Sequence, residues 1–246
     1  MNIDKFEDIN WIVVPGGPGL SKEYLKYGLS DAFFNFKLNY YNQLGSPESK
    51  CDKIPTIEAI VKELTNFATE RFIKFGIICH SFGSYLSIRA IENGLDKNLV
   101  AMIMLSPMPL EYSQWIESLK AIKSKIPTEK LLEIQSSEKA GMLDSEIFLL
   151  YYPYYTAHQT TCPIKILFDS KMCNNISAQV KNFCDYQLLD SVNIPVIAIV
   201  GEDDEFYKRS TFNFEKIVLP SVGHYPFFEN KSLFKSIVQQ LRDHTI

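Results

Sequence analysis

The chain has 246 residues, 46% of them hydrophobic and 22% charged, with a formal charge of −4. That length and composition fit one α/β domain, or a core carrying a small insert, with enough apolar residues to bury a core without staples. The acidic balance and the lack of a basic stripe argue against nucleic acid as a partner. No run approaches the roughly 18 apolar residues of a membrane span. The polar start, Met1-Asn2-Ile3-Asp4-Lys5, has no apolar stretch of the kind a secretory leader carries. The five cysteines, Cys51, Cys79, Cys162, Cys173 and Cys184, are odd in number and widely spaced. This is the usage of free thiols in a reducing compartment, so a cytoplasmic location is expected. No histidine pair stands near them at ligand spacing, so neither a metal nor any other cofactor is expected.

In chain order, Trp11-Ile12-Val13-Val14 reads as a buried strand that runs into the loop Pro15-Gly16-Gly17-Pro18-Gly19. A short helix follows over 22–29, opened by Ser21, then a strand over 36–41 and the loop Asn42-Gln43-Leu44-Gly45-Ser46-Pro47. Pro55-Thr56 opens an amphipathic helix with Ile57, Ile60, Val61, Leu64, Phe67 and Ala68 at helical spacing. The apolar run 72–78 then reads as a strand, and 85–91 as a helix that Gly94 ends. Between them stands Cys79-His80-Ser81-Phe82-Gly83. This is x-x-S-x-G at a strand-to-helix junction, with Cys79 where G-x-S-x-G has its first glycine. Small residues two before and two after a serine let strand and helix approach closely and present the hydroxyl above the sheet edge.

Residues 99–105 form the next strand. The alternation then breaks between 110 and 193, a stretch with helical segments at 112–123 and 129–136 and the aromatic run 148–155. The expected organisation is a core of residues 1–109 and 194–246, with a helical cap of residues 110–193. Strands resume over 194–200, ending in Gly201-Glu202-Asp203-Asp204, and over 214–219, leading to Gly223-His224; a last helix spans 232–242. Nearly continuous apolar strands alternating with helices indicate a mostly parallel sheet covered on both faces.

Ser81, an acid among Asp203, Asp204 and Glu205, and His224 each follow a strand, and in a parallel sheet such ends share one edge. A serine hydroxyl needs a base, and the base needs a carboxylate to hold its tautomer. The chain order Ser, Asp, His is the one found in α/β-hydrolases. Of the remaining histidines, His80 lies inside the turn, His158 in the insertion and His244 near the end of the sequence.

The motifs together resemble the α/β-hydrolase superfamily and its proline iminopeptidase-like branch. Pro15-Gly16-Gly17-Pro18-Gly19 is similar to the HGGPG loop, and Tyr40-Tyr41-Asn42-Gln43-Leu44-Gly45-Ser46 to the Y-D-Q-L/R-G-S/x-G segment. Cys79-His80-Ser81-Phe82-Gly83 is similar to the GHSFG turn, Gly201 to Asp204 to the GxxD loop, and Gly223-His224-Tyr225-Pro226 through Glu229 to the GHxPxxE loop. The resemblance implies an α/β-hydrolase fold with Ser81 as nucleophile, His224 as base and Asp204, ahead of Asp203, as the orienting acid. It also implies an oxyanion hole from the backbone N–H groups of Gly17 and Phe82. Glu229 reads as a structural residue near the start of the last helix.

Pro15, Asn42 and Cys79 depart from the family's histidine, aspartate and glycine, and the leading strand pair is missing or much reduced. A small acyl or amino-acyl substrate is expected, and the aromatic insertion tilts the reading toward esters or thioesters. A proline aminopeptidase and a non-catalytic binding module are the alternatives. The acidic residues Glu111, Glu117, Glu129 and Glu133 are available to an amine, but nothing marks one of them as an anchor. The sequence sets no oligomeric state.

Overall fold

A computed structural model describes residues 8–49, 51–181, 183–185, 187, 189 and 192–243. The polar start at residues 1–7 and His244 lie outside them. Six parallel strands form one sheet: β1 (Asn10–Val14), β2 (Lys37–Tyr40), β3 (Phe75–Ser81), β4 (Leu99–Pro107), β5 (Val196–Gly201) and β6 (Glu215–Leu219). Their spatial order is β2-β1-β3-β4-β5-β6. Among the described residues no strand precedes β1.

Side chains alternate across the strands and split into two cores, as the two-residue period of a strand requires. On one face Ile12, Val14, Ile77, Cys79, Met102, Met104, Ala198 and Val200 pack beneath helices α2 (Ile57–Thr69) and α3 (Phe82–Glu92). On the other, Trp11, Val13, Ile78, Ile103, Leu105, Ile197 and Ile199 meet helix α1 (Glu23–Leu29) and the C-terminal helix Lys231–Asp243. Both faces are covered, which explains why β1, β3, β4 and β5 read as continuous apolar runs.

The strand expected over 72–78 begins three residues later and reaches Ser81. Asn10 of β1 and Leu99 of β4 pair with Phe75, and neither neighbour offers a strand partner earlier. Ile73, assigned to that strand by its apolar character, is 88% exposed. Helix α2 behaves as its spacing predicts: Thr56 caps it, Oγ1 accepting from Ala59 N–H at 3.2 Å, and Ile57, Ile60, Val61, Leu64 and Ala68 are buried. Between β4 and β5 the chain forms α4 (Tyr112–Ser124), α5 (Thr128–Lys139), α6 (Asp144–Tyr151), a 3-10 turn (Tyr152–Tyr155) and α7 (Ser170–Ser177). The aromatic run 148–155 is the end of α6 and that turn. Among the described residues three short or terminal helices follow β5: α8 (Glu205–Lys208), α9 (Pro226–Glu229) and α10 (Lys231–Asp243). No helix is long and apolar enough to cross a membrane among the described residues.

Candidate active site

β3 delivers Ser81 to the C-terminal edge of the sheet, and α3 begins at the next residue. Ser81 has φ 51° and ψ −123°, a strained backbone for a residue with a side chain. Two local features hold it there. A Cβ on Gly83 would stand 2.6 Å from the carbonyl oxygens of Val14 and Pro15, so only glycine lets α3 approach β1 this closely. Ser84 Oγ donates to the Ser81 carbonyl at 2.7 Å and accepts from Met108 N–H at 3.0 Å, tying the turn to the end of β4.

His224 follows β6 and is 2% exposed. Its Nε2 lies 2.9 Å from Ser81 Oγ, and its Nδ1 lies 2.9 Å from Asp204 Oδ2. Asp204 follows β5, is 1% exposed, and uses its other oxygen to accept from Phe206 N–H at 3.0 Å, capping α8. One carboxylate thereby starts a helix and holds an imidazole. Asp203 points elsewhere; its side chain is 40% exposed and pairs with Lys208 at 2.9 Å. The structure brings Ser81, His224 and Asp204 together, leaves Asp203 outside, and leaves His158 exposed.

The acid and histidine loops touch through backbone. A Cβ on Gly201 would stand 2.2 Å from the carbonyl oxygens of Val222 and Gly223. The glycine loop carries Gly17 at φ 120°, a conformation glycine adopts freely, and it lines the same cavity as Phe82, the first residue of α3. The N-terminal end of α3, with its partial positive charge, lies beside Ser81.

A cavity of about 350 Å³ opens above Ser81 and His224. Trp115, Leu119, Ile147, Phe148, Tyr155 and Phe206 supply apolar surface, while Ser170, Asn174 and Ser177 of α7 give one wall a polar lining. Glu111, Glu117, Glu129 and Glu133 are not among the lining residues; the carboxylate that is belongs to Glu138, near the end of α5.

Two residues play parts the sequence did not disclose. Glu229, read as a partner for a helix terminus, accepts hydrogen bonds from three backbone N–H groups: Gly223 at 2.8 Å, Tyr225 at 2.9 Å and Ala157 at 2.8 Å. It joins the histidine loop to the segment after the 3-10 turn. His224 N–H adds a bond to the Tyr155 carbonyl at 2.9 Å. His80 is fully buried and contacts both Tyr24 and the His224 carbonyl. Its partners stand 56 and 144 residues away, so no local signal marks them.

This arrangement, a parallel sheet with a strained serine after β3, an acid after β5 and a histidine after β6, is the α/β-hydrolase fold. Solved structures agree on the fold. A proline iminopeptidase from Mycobacterium smegmatis is similar over 98% of this chain and 91% of its own, at 17% identity and a TM-score of 0.65. A proline iminopeptidase-related protein from Thermus thermophilus gives 18% identity, 97% and 90% coverage and a TM-score of 0.65. A lipase-esterase related protein from Clostridium acetobutylicum gives 17% identity, 97% and 96% coverage and a TM-score of 0.62. No family model matches the chain. No curated protein sequence matches it either.

Proposed function

We propose that the protein is a serine hydrolase that cleaves a carboxylic ester, thioester or related acyl bond through an acyl-enzyme on Ser81. The observation that carries this reading is the unbroken chain Ser81 Oγ, His224 Nε2, His224 Nδ1, Asp204 Oδ2, with 2.9 Å at each contact, beneath a cavity lined by both apolar and polar side chains. His224 takes the Ser81 proton as Oγ attacks the substrate carbonyl, and Asp204 holds Nδ1–H and steadies the imidazolium. The N–H groups of Gly17 and Phe82 donate to the oxyanion, and each such donor is worth about 10²–10³ in rate. His224 then passes its proton to the leaving alcohol or thiol. A water, giving its proton to His224, attacks the acyl-enzyme and releases the acid and Ser81. Residues 110–193 act as a cap whose aromatic and aliphatic side chains receive the acyl group.

A second reading, removal of an N-terminal proline, draws on Glu138, a carboxylate that lines the cavity where a substrate's ammonium group could meet it. Acyl p-nitrophenyl esters tested against amino-acyl arylamides separate the two.

Labelling with a fluorophosphonate tests the hydrolase itself. Wild type is expected to label, and Ser81→Ala and His224→Ala are not. Folded wild type that stays unlabelled would favour a binding module on the same fold, and a label that survives Ser81→Ala would move the nucleophile elsewhere.

A further inference from the structure

Tyr24 and His80 are buried beside the proton chain without belonging to it. Tyr24 is the second residue of α1, and His80 immediately precedes Ser81. Tyr24 Oη lies 2.7 Å from Gly16 N and 2.7 Å from His80 Nδ1, while His80 Nε2 lies 3.1 Å from the carbonyl oxygen of His224.

With His80 neutral, these three contacts admit one arrangement of protons. A carbonyl oxygen only accepts, so His80 Nε2 donates. A neutral imidazole has a single N–H, so Nδ1 is bare and accepts. Tyr24 therefore gives its only hydroxyl proton to Nδ1, and its oxygen accepts from Gly16 N–H. Protonated His80 would donate from Nδ1 as well and turn the Tyr24 hydroxyl proton away from it. Burial, and then the neighbouring His224, hold the His80 imidazole well below its ordinary pKa, which keeps it neutral.

The chain of bonds thus runs from the glycine loop, past the residue before Ser81, to the backbone of His224. The approach is tight as well as directional. A Cβ on Gly16 would stand 3.0 Å from both Tyr24 Oη and His80 Nδ1. The His80 ring lies 4.9 Å from that of His224 and 5.2 Å from that of Phe227. An oxyanion donor works only when it is about 2.7–3.1 Å from where the charge develops, so the loop bearing it needs an external reference.

We propose that Tyr24 and His80 are positioning residues that hold the Gly16–Gly17 loop and the His224 loop in register on either side of Ser81. The proposal rests on the reading of Ser81 as nucleophile. It makes His80 the common strut of the oxyanion donor and the general base, which approach the substrate from different loops.

Tyr24→Phe keeps the ring and removes the hydroxyl, leaving Gly16 N–H without its acceptor and His80 Nδ1 without its donor. With an acyl p-nitrophenyl ester, kcat is expected to fall about 10- to 100-fold, the cost of a small misplacement. KM is expected to stay within about twofold, as for an interaction used only in the transition state. His80→Gln, whose amide N–H reaches toward the His224 carbonyl, is expected to retain more of kcat than His80→Ala at equal folded fraction.

¹⁵N-histidine NMR of the wild type supplies a readout apart from turnover. One imidazole is expected to titrate well below an ordinary histidine and to carry its proton on Nε2 when neutral, to vanish in His80→Gln, and to shift at Nδ1 in Tyr24→Phe. An Nδ1-protonated His80 would overturn the proposal. So would a Tyr24→Phe enzyme with kcat within about twofold of an active wild type and only a lowered Tm, the signature of mere packing. Wild type with neither turnover nor label would overturn the hydrolase reading and this one together.

Discussion

At Ser81 a positive φ and a neighbouring glycine are one device: the turn that exposes the hydroxyl also crowds Gly83 against β1. Gly83→Ala is expected to cost about 1–3 kcal/mol, the usual penalty of overpacking, read as a lowered denaturant midpoint. Cys79, where the motif it resembles has a glycine, is buried in the core beneath α2 and α3. Burial pushes its thiol up to about 12. A disulfide reagent at pH 8 is expected to modify the exposed Cys51 and Cys184 in the native protein and to spare Cys79 until denaturant is added. The two adjacent aspartates should separate sharply. Asp204→Asn is expected to lower kcat about 10⁴-fold, as loss of the tautomer-holding carboxylate does, while Asp203→Asn leaves it near wild type. The GxxD spacing already favoured Asp204; the Asp203–Lys208 pair shows what the other carboxylate does instead.

At the scale of elements, the histidine loop and the segment after α6 behave as one piece. Glu229 gathers three N–H groups from both, and Gly223 has no room for a Cβ, which would stand 2.6 Å from the Tyr155 carbonyl oxygen. Glu229→Ala would leave those donors without their acceptor. Unfolding in urea is expected to show a loss of about 2–4 kcal/mol, with kcat reduced because His224 rides on the same loop. Glu229→Gln, which keeps one accepting oxygen, is expected to lose less. The sequence marked Glu229 by its motif but put it at a helix terminus, since nothing local reveals Ala157 as a partner. Helix α2 is the opposite case. Its cap and buried stripe are local properties, and they were readable to within a residue or two.

For the whole molecule, a buried neutral imidazole has a pH consequence. The folded pKa of His80 lies below its unfolded value of 6.5, so the unfolded chain binds the extra proton. The His80 contribution to stability is therefore fully present above pH 6.5 and is lost as pH falls from there toward the folded pKa. The groups around it are Tyr24, His224 and Tyr225, and burial raises the hydroxyl pKa of both tyrosines, so neither supplies a countercharge at that pH. Urea midpoints at pH 7.5 and 5.5 are expected to show the acid-side loss, and His80→Gln to flatten it. Glu205 acts in a lower window. Burial raises its pKa, but Lys125 and Arg209 outweigh burial and lower it below 4.5, so what it adds is present above that pH and lost as pH falls further.

The sequence by itself determined the parallel sheet, the chain order of its strands and of the long helices that cover it, and three chemical groups at strand ends. Each of these follows from periodicity or spacing within a few residues. Tertiary structure decided that Asp204 meets His224, that β3 starts at Phe75, and that Tyr24, His80 and Glu229 brace the loops around Ser81. Those outcomes depend on hydrogen bonds and close backbone contacts between segments far apart in the chain, where a residue's neighbours in sequence carry no record of its neighbours in space.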